Sequence, residues 1–477
     1  MTVTVPGPRY RPAPRPTALG PEFYDVARPA RFPKMQLRFR NQRWAERLGF
    51  GEFDEMSWLH AFGELCPLPD NLTEFLALRY HGHQFRAYNP ELGDGRGALY
   101  AQLLDPVDGR LLDFGTKGSG TTRWSRGGDG RLTLRGGVRE VLAAELLDAL
   151  GVRTSKAFSL IETGEQLSRH DEPSPTRASV LVRLSHSHIR FGTFQRLYAL
   201  NQRAELQRLV DYCTTQYYPA GLEVEAGDDP IVAFFRTVVR RTAELVGQWL
   251  VAGFVHGVLN TDNMSITGES FDYGPYRFLP RFDPGFVAAY FDQTGLYAFG
   301  RQPDAVLWNL QRLADSLTPL TTVQALTKAL DDYAPAMITS FQLQFLWRLG
   351  LKSRGAEADD RLVQAALLVL ADPRGSWDGF FFDWRGGAAR HARALWGLDR
   401  AVYEGDAFDR FRKELEAFEP TPGALDHPYF QGDAPVSLVY DAGEAIWQAI
   451  AQRDDWQPFE ATLARIGAAR EAHRGGG

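Results

Sequence analysis

The run His256-Gly257-Val258-Leu259-Asn260-Thr261-Asp262-Asn263, followed by Asp272-Tyr273-Gly274, decides how this chain is read. Asn263 offers an amide oxygen and Asp272 a carboxylate, nine residues apart. Hard oxygen ligands of this kind, few in number and shared with phosphate, suit Mg2+. The short gap between them predicts a tight hairpin. Val258 stands where an acid would accept the proton of a substrate hydroxyl, and a valine accepts none. Asp262 is the only acid in the loop. It is the candidate replacement base, with a capping carboxylate as the plainer alternative.

Protein kinases write such a loop H-R-D-L-x-x-x-N, then D-F-G. His256, Leu259 and Asn263 fit, while Val258 replaces the catalytic Asp. The chain is therefore expected to bind a nucleotide and its metal without using them as an ordinary kinase does. The surrounding elements run in kinase order. Short apolar runs with glycine punctuation fill 73–122, and Asp108-Gly109 between two of them signals a hairpin. A helix is expected over 137–150, with Val141, Leu142, Leu146, Leu147 and Leu150 on one face and Gly151 ending it. Strands are expected at 157–162 and 178–183, and a short helix at 42–48. Further helices are expected at 197–218, 230–255, 305–317, 322–332, 336–349 and 359–370. The expectation is an α+β, protein-kinase-like bilobed fold. An N-terminal arm and extension (1–72) precedes a β-rich N-lobe (73–195). A helical C-lobe (196–470) carries the loop and additional C-terminal helices. Residues 1–21, rich in Pro and Arg, read as an extended arm, and 474–477 as a disordered tail.

Phosphate chemistry needs backbone donors, cations and a metal around the reacting centre. Gly93-Asp94-Gly95-Arg96-Gly97 opens the hairpin, and its glycines let N–H groups approach phosphate closely, although a simple turn reads equally well. Lys117 ends the second strand, and Glu140 lies 23 residues on in the next helix. A strand Lys held by a helix Glu points its ammonium at phosphate, whereas each alone is more often a solvated charge. Arg183 and Arg190 flank Ser185-His186-Ser187-His188 and are candidates for a polyphosphate clamp; unaided, they read as surface residues. His186 with His188, like His81 with His83, lacks a third ligand cluster, so zinc is not expected.

Composition narrows the rest. With 44% apolar residues, the chain can bury a large core, and a net charge of −6 gives no basic field for nucleic acid. Two cysteines, Cys66 and Cys213, are too few for a disulfide framework and suit a reducing compartment, with one bridge left open. No run approaches a membrane span, and the N-terminus lacks a secretory h-region. A cytoplasmic monomer without membrane or nucleic-acid partners is expected.

Taken together, several segments resemble the selenoprotein O family, the kinase-fold protein adenylyltransferases. They include Gly82-His83-Gln84-Phe85, Leu92-Gly93-Asp94-Gly95-Arg96-Gly97, Lys117-Gly118-Ser119-Gly120-Thr121 and Ser125-Arg126-Gly127-Gly128-Asp129-Gly130-Arg131. Leu134-Arg135, Val138-Arg139-Glu140, Ser187-His188-Ile189-Arg190-Phe191-Gly192 and Leu307-Trp308-Asn309-Leu310 add to them, with the loop itself. The resemblance spans about 20–350. It implies a pseudokinase fold that binds ATP flipped, so that AMP passes to Ser, Thr or Tyr of a protein and pyrophosphate leaves. By the same resemblance Gly93, Gly95, Arg96, Lys117, Asp129, Gly130, Arg183, Arg190 and Asp272 match nucleotide contacts. Asp262 matches the proton acceptor, Asn263 and Asp272 the ligands of Mg2+ (or Mn2+), and Glu140 the partner of Lys117.

The family often carries a Sec or Cys near its C-terminus. Here Leu463-Ala464-Arg465-Ile466-Gly467 has none, so thiol gating is not expected. Gly375-Ser376-Trp377-Asp378-Gly379-Phe380-Phe381-Phe382 departs from the usual pattern and suggests a divergent C-terminal third. UMP transfer, a conventional phosphotransferase and an inactive nucleotide-binding scaffold stay open as alternatives.

Overall fold

Alternating apolar residues build a sheet whose two faces carry separate cores. The computed structural model describes residues 5–475. Its strands are β1 (Tyr24–Ala27), β2 (Gln36–Arg40), β3 (Phe75–Leu78), β4 (Gly82–Gln84), β5 (Ala87–Asn89), β6 (Leu99–Leu104), β7 (Leu111–Lys117), β8 (Leu132–Thr133), β9 (Lys156–Leu167), β10 (Thr176–Ser185), β11 (Phe254–Val255) and β12 (Arg277–Phe278). β1, β3, β6, β7, β10, β9 and β2 lie side by side in that order, with β8 on β10, and every pairing is antiparallel. Two strands thus come from residues before 73. Along β10, Val180 and Val182 enter an aromatic core with Trp58, Phe62, Phe114 and Phe158, while Leu181 enters the opposite one. This period of two sets Arg183 on the face of Leu181. Lys117 lies directly opposite Leu181 and shares that face.

The helices are α1 (Gln42–Leu48), α2 (Glu55–Phe62), α3 (Leu134–Ala149), α4 (Phe191–Ala199), α5 (Arg203–Tyr217), α6 (Pro230–Val251), α7 (Gln302–Leu317), α8 (Val323–Leu330), α9 (Tyr333–Leu349), α10 (Ala356–Leu370), α11 (Trp377–Asp383), α12 (His391–Ala394), α13 (Gly405–Leu415), α14 (Tyr440–Arg453) and α15 (Gln457–Arg474). The chain is therefore α+β, an antiparallel sheet with many helices. α3 crosses the face that carries Lys117 and Arg183. It begins at Leu134, earlier than periodicity predicts, because the Thr133 hydroxyl accepts from Gly136 N at 3.1 Å and caps it. Gly137 lets the helix sit against β9: a Cβ there would lie 2.4 Å from Leu160 Cδ1.

Several expectations fail for local reasons. The helix expected at 197–218 is two, α4 and α5, separated at Asn201, which adopts φ +55°. The helix expected to run to 255 stops at Val251. Gly253 turns at φ +64°, with Trp377 so close that any Cβ would clash, and the chain enters β11. No self-paired hairpin joins Asn263 to Asp272. Ser265 bridges Arg190 instead, and Ser270 bridges Thr154. The N-terminal arm is not free: Pro12 bridges Leu103, and Pro16–Leu19 forms a 3-10 turn. Its residues 1–4 lie outside the described residues, as do 476–477 of the expected tail, whereas Arg474 ends α15. Cys66 and Cys213 are free thiols. No helix among the described residues is long and apolar enough to cross a membrane.

Candidate active site

A cavity of about 720 Å³ opens at the C-terminal end of β7. Gly93, Asp94, Gly95, Arg96 and Gly97 form one wall, the loop from Trp124 to Arg131 another, and Lys117, Arg183, Arg190 and Asp272 the floor. The glycines are required by the packing of these walls. A Cβ on Gly93 would lie 2.4 Å from the Trp124 ring, one on Gly95 2.7 Å from Trp124 O, and one on Gly97 1.9 Å from Thr116 O. A Cβ on Gly130, at φ +69°, would lie 2.3 Å from the Gly120 backbone.

The floor is a buried charge network. Lys117 Nζ donates to Glu140 Oε2 at 2.5 Å and to Asp272 Oδ1 at 2.6 Å. Arg183 Nη1 donates to Glu140 Oε1 at 3.1 Å and to Asp272 Oδ1 at 3.3 Å. Arg190 lies 3.7 Å from Asp272 Oδ2, donates to Asp94 Oδ1 at 3.3 Å, and stacks on Tyr80 and Phe271. Burial opposes the Asp272 charge, yet Lys117, Arg183, Arg190 and Arg96 hold its carboxyl well below the usual carboxylate range. Asp272 takes φ +65°, which a non-glycine residue tolerates only where its surroundings over-determine it.

The loop from His256 to Asn263 is anchored from several directions. His256 Nε2 faces Phe271 O at 3.1 Å, tying it to the segment before Asp272. Asn309 donates to Leu259 O, and Thr261 accepts from His83 N. Asn263 Nδ2 donates to Val258 O at 2.9 Å, and its amide oxygen accepts from no donor among the described residues. Asp262 is buried, and its Oδ1 has no hydrogen-bond partner. Its backbone carbonyl accepts from Arg190 Nη1 at 2.8 Å. Burial, against the nearby charge of Arg190, pushes the Asp262 carboxyl up to about 6.

The structure thus gathers Gly93, Gly95, Arg96, Lys117, Asp129, Gly130, Arg183, Arg190 and Asp272 around one cavity, with Glu140 behind Lys117. Asp129 is engaged by Arg169 at 2.7 Å on the exposed rim. Asp262 and Asn263 do not line the cavity; the Asp262 carbonyl reaches it through Arg190. Sequence reasoning passed over Trp124, Tyr80 and Asp94. Asp94 lay inside the quoted glycine run, but nothing local marks Tyr80 or Trp124. The paired histidines are otherwise engaged: His81 with Tyr88, His83 with Gln195, His186 with Leu111 O and His188 with Asp113. Among the described residues one trio, His60, Glu64 and Cys66, brings three metal-capable side chains together, and none of them lines the cavity.

The model of the family described as protein adenylyltransferase SelO matches residues 9–467. The chain belongs to the SelO family. The SelO match runs far beyond 20–350 and takes in most of the C-terminal third. A protein of Synechocystis sp. named protein nucleotidyltransferase YdiU is 46% identical over 472 residues, covering 94% of this chain and 96% of that protein. Proteins of the same name from Gloeobacter violaceus and Trichodesmium erythraeum are 45% and 44% identical; the chain matches over 94% and 96% of its length, and they over 93% and 98% of theirs. SelO membership makes this chain an enzyme of the nucleotidyltransferase kind.

Proposed function

We propose that this protein transfers AMP from ATP to Ser, Thr or Tyr hydroxyls of other proteins, on a kinase-like fold with an N-lobe at 73–195, whose sheet β1 and β2 extend, and a C-lobe at 196–470. The observation that carries the reading is the pairing of a cation-lined floor with an apolar Val258 and a buried Asp262 whose Oδ1 has no partner among the described residues. Gly93, Gly95 and Gly130 give backbone access to a polyphosphate. Lys117, Arg183 and Arg190 offset its charge, with Arg96 and Asp129 at the rim. The donor set fits a hard divalent cation: the Asp272 carboxylate is kept ionised and the Asn263 amide oxygen is free of donors. Mg2+ (or Mn2+) held by Asn263 and Asp272 would neutralise charge on the phosphates.

The acceptor hydroxyl oxygen attacks the α-phosphorus, the bond from that phosphorus to the bridging oxygen breaks, and pyrophosphate leaves with the electron pair. Asp262 takes the hydroxyl proton. A carboxylate whose pKa is raised to about 6 is a better base than an ordinary one and is still mostly ionised at pH 7. Attack at the α-phosphorus requires ATP flipped relative to a kinase, which agrees with the absence of an acid at Val258. The name of the relatives specifies no base, so UMP transfer is the second reading. A cytoplasmic setting is supported by the two free thiols.

The test is to incubate the protein with divalent metal, a protein acceptor and ATP labelled at either the α or the γ phosphate. Label on protein from α-labelled ATP alone is the expected result. Label from γ-labelled ATP alone would make it a kinase. The same assay with labelled UTP decides between the nucleotides.

A further inference from the structure

Phe85, Tyr290 and Phe291 are exposed over 40%, 83% and 45% of their surface. They are not scattered, as single exposed apolar residues usually are. The Phe85 and Phe291 rings lie 6.0 Å apart and those of Tyr290 and Phe291 5.1 Å apart, which makes one ridge. The ridge is fastened to the loop of Asp262. Phe85 N donates to Asn260 Oδ1 at 3.1 Å, and the Tyr297 hydroxyl donates to the same oxygen at 2.8 Å, with its ring 5.1 Å from that of Phe85. Phe85 adopts φ +51° and Arg86 φ +66°, so the outward pose of Phe85 is held against backbone strain.

On its other side the ridge borders charge. Tyr290 and Phe291 line a second cavity of about 470 Å³, which shares Arg96 and Lys117 with the first. Arg139 and Arg277 also line it. Each donates to Tyr276 O at 3.0 Å, and neither forms an ion pair with a carboxylate among the described residues. Two guanidiniums that donate to carbonyls and stack on the rings of Tyr276 and Tyr440, with no carboxylate ion pair among the described residues, leave a positive surplus next to exposed aromatic rings.

We propose that this ridge and its two uncompensated cations are the docking surface for the acceptor protein. The segment it takes is extended and acidic, with an aromatic or large aliphatic residue close to the modified hydroxyl. The proposal rests on the protein-modifying reading above. A hydroxyl reaches a cleft only from a segment able to lie across its rim. Aromatic side chains supply the anchoring contact, and charge complementarity selects among partners.

The experiment uses the full chain, α-labelled ATP and two peptides around the same hydroxyl residues. One is acidic with a neighbouring Phe; the other is basic with neighbouring Gly. The acidic, aromatic peptide is expected to show a KM at least about tenfold lower. Combined Tyr290→Ala and Phe291→Ala is expected to raise that KM about tenfold and leave ATP affinity within about twofold. Arg277→Gln is expected to erase most of the preference for acidic residues, while Tyr198→Ala, at another exposed aromatic, changes nothing. Equal KM values for the two peptides, or an unchanged acceptor KM in the double variant, overturn the docking surface. So does a parallel loss of ATP affinity, which would assign the ridge to the nucleotide. If the wild-type protein transfers no label, the activity itself is refuted. Direct binding of the labelled peptides then judges the surface: selective binding of the acidic peptide, lost in the double variant, upholds it, and indiscriminate or absent binding removes it.

Discussion

Asp272 and Asp262 sit on one short stretch of chain, the first half-buried and the second buried, and their surroundings drive them in opposite directions. Asp272 faces Lys117, Arg183 and Arg190, which keep its carboxyl far below the ordinary range despite burial. Asp262 has one buried oxygen without a partner, and burial pushes its carboxyl up to about 6. Low dielectric magnifies whatever charge lies nearby, so the count and distance of cations decide the outcome. Two carboxylates held apart in this way are suited to different tasks, one to binding cations while ionised and the other to exchanging a proton near neutral pH.

The contrast is broken most severely at Asp272. Asp272→Ala removes a proposed metal ligand and leaves three cations facing one another. Transfer from α-labelled ATP is expected to fall by about a thousandfold; turnover near the wild-type level would remove Asp272 from the site. Asp262→Asn is expected to lower kcat by about a hundredfold. In the wild-type protein activity should decline as pH falls through about 6, because the protonated acid accepts nothing, and the variant should lack that limb. The same change sharpens the comparison through stability. A carboxyl whose folded pKa is raised stabilises the fold below its unfolded value and loses that contribution as pH rises through about 6. Asp262→Asn should therefore resist urea better than wild type at pH 8, by on the order of 3 kcal/mol, and less so at pH 5.

Glu140→Gln tests the paired side. It strips Lys117 and Arg183 of a buried counter-charge and is expected to cost about 3 kcal/mol in chemical denaturation. A loss of a few tenths would mean that Asp272 alone satisfies both cations. The smallest effect is expected at Val258→Ala. Val258 serves Asn263 through its carbonyl, so transfer should change by less than about twofold; a large loss would give the side chain a role that its chemistry does not suggest.

Much of this was legible before any coordinates. The hairpin at Asp108-Gly109, the helix at 42–48 and the strands carrying Lys117 and Arg183 follow from local turn chemistry and periodicity. The failures also share a cause. Asn201 splits a helix and Gly253 stops one through positive φ, and Thr133 starts one early through its side-chain cap, none of which apolar spacing registers. Tyr80 and Trp124 had no local signal because they reach the site through packing alone.

The sequence by itself determined the inventory: an amide and a carboxylate at ligand spacing, a valine in place of a base, one acid four residues on, and a lysine, a glutamate and two arginines in order along the chain. Only the tertiary structure decided that Lys117 and Arg183, 155 and 89 residues from Asp272, close on one of its oxygens while Asp262 Oδ1 is left without a partner among the described residues. Residue type sets which charges exist. Their energies depend on distance and desolvation, and those are properties of the folded chain.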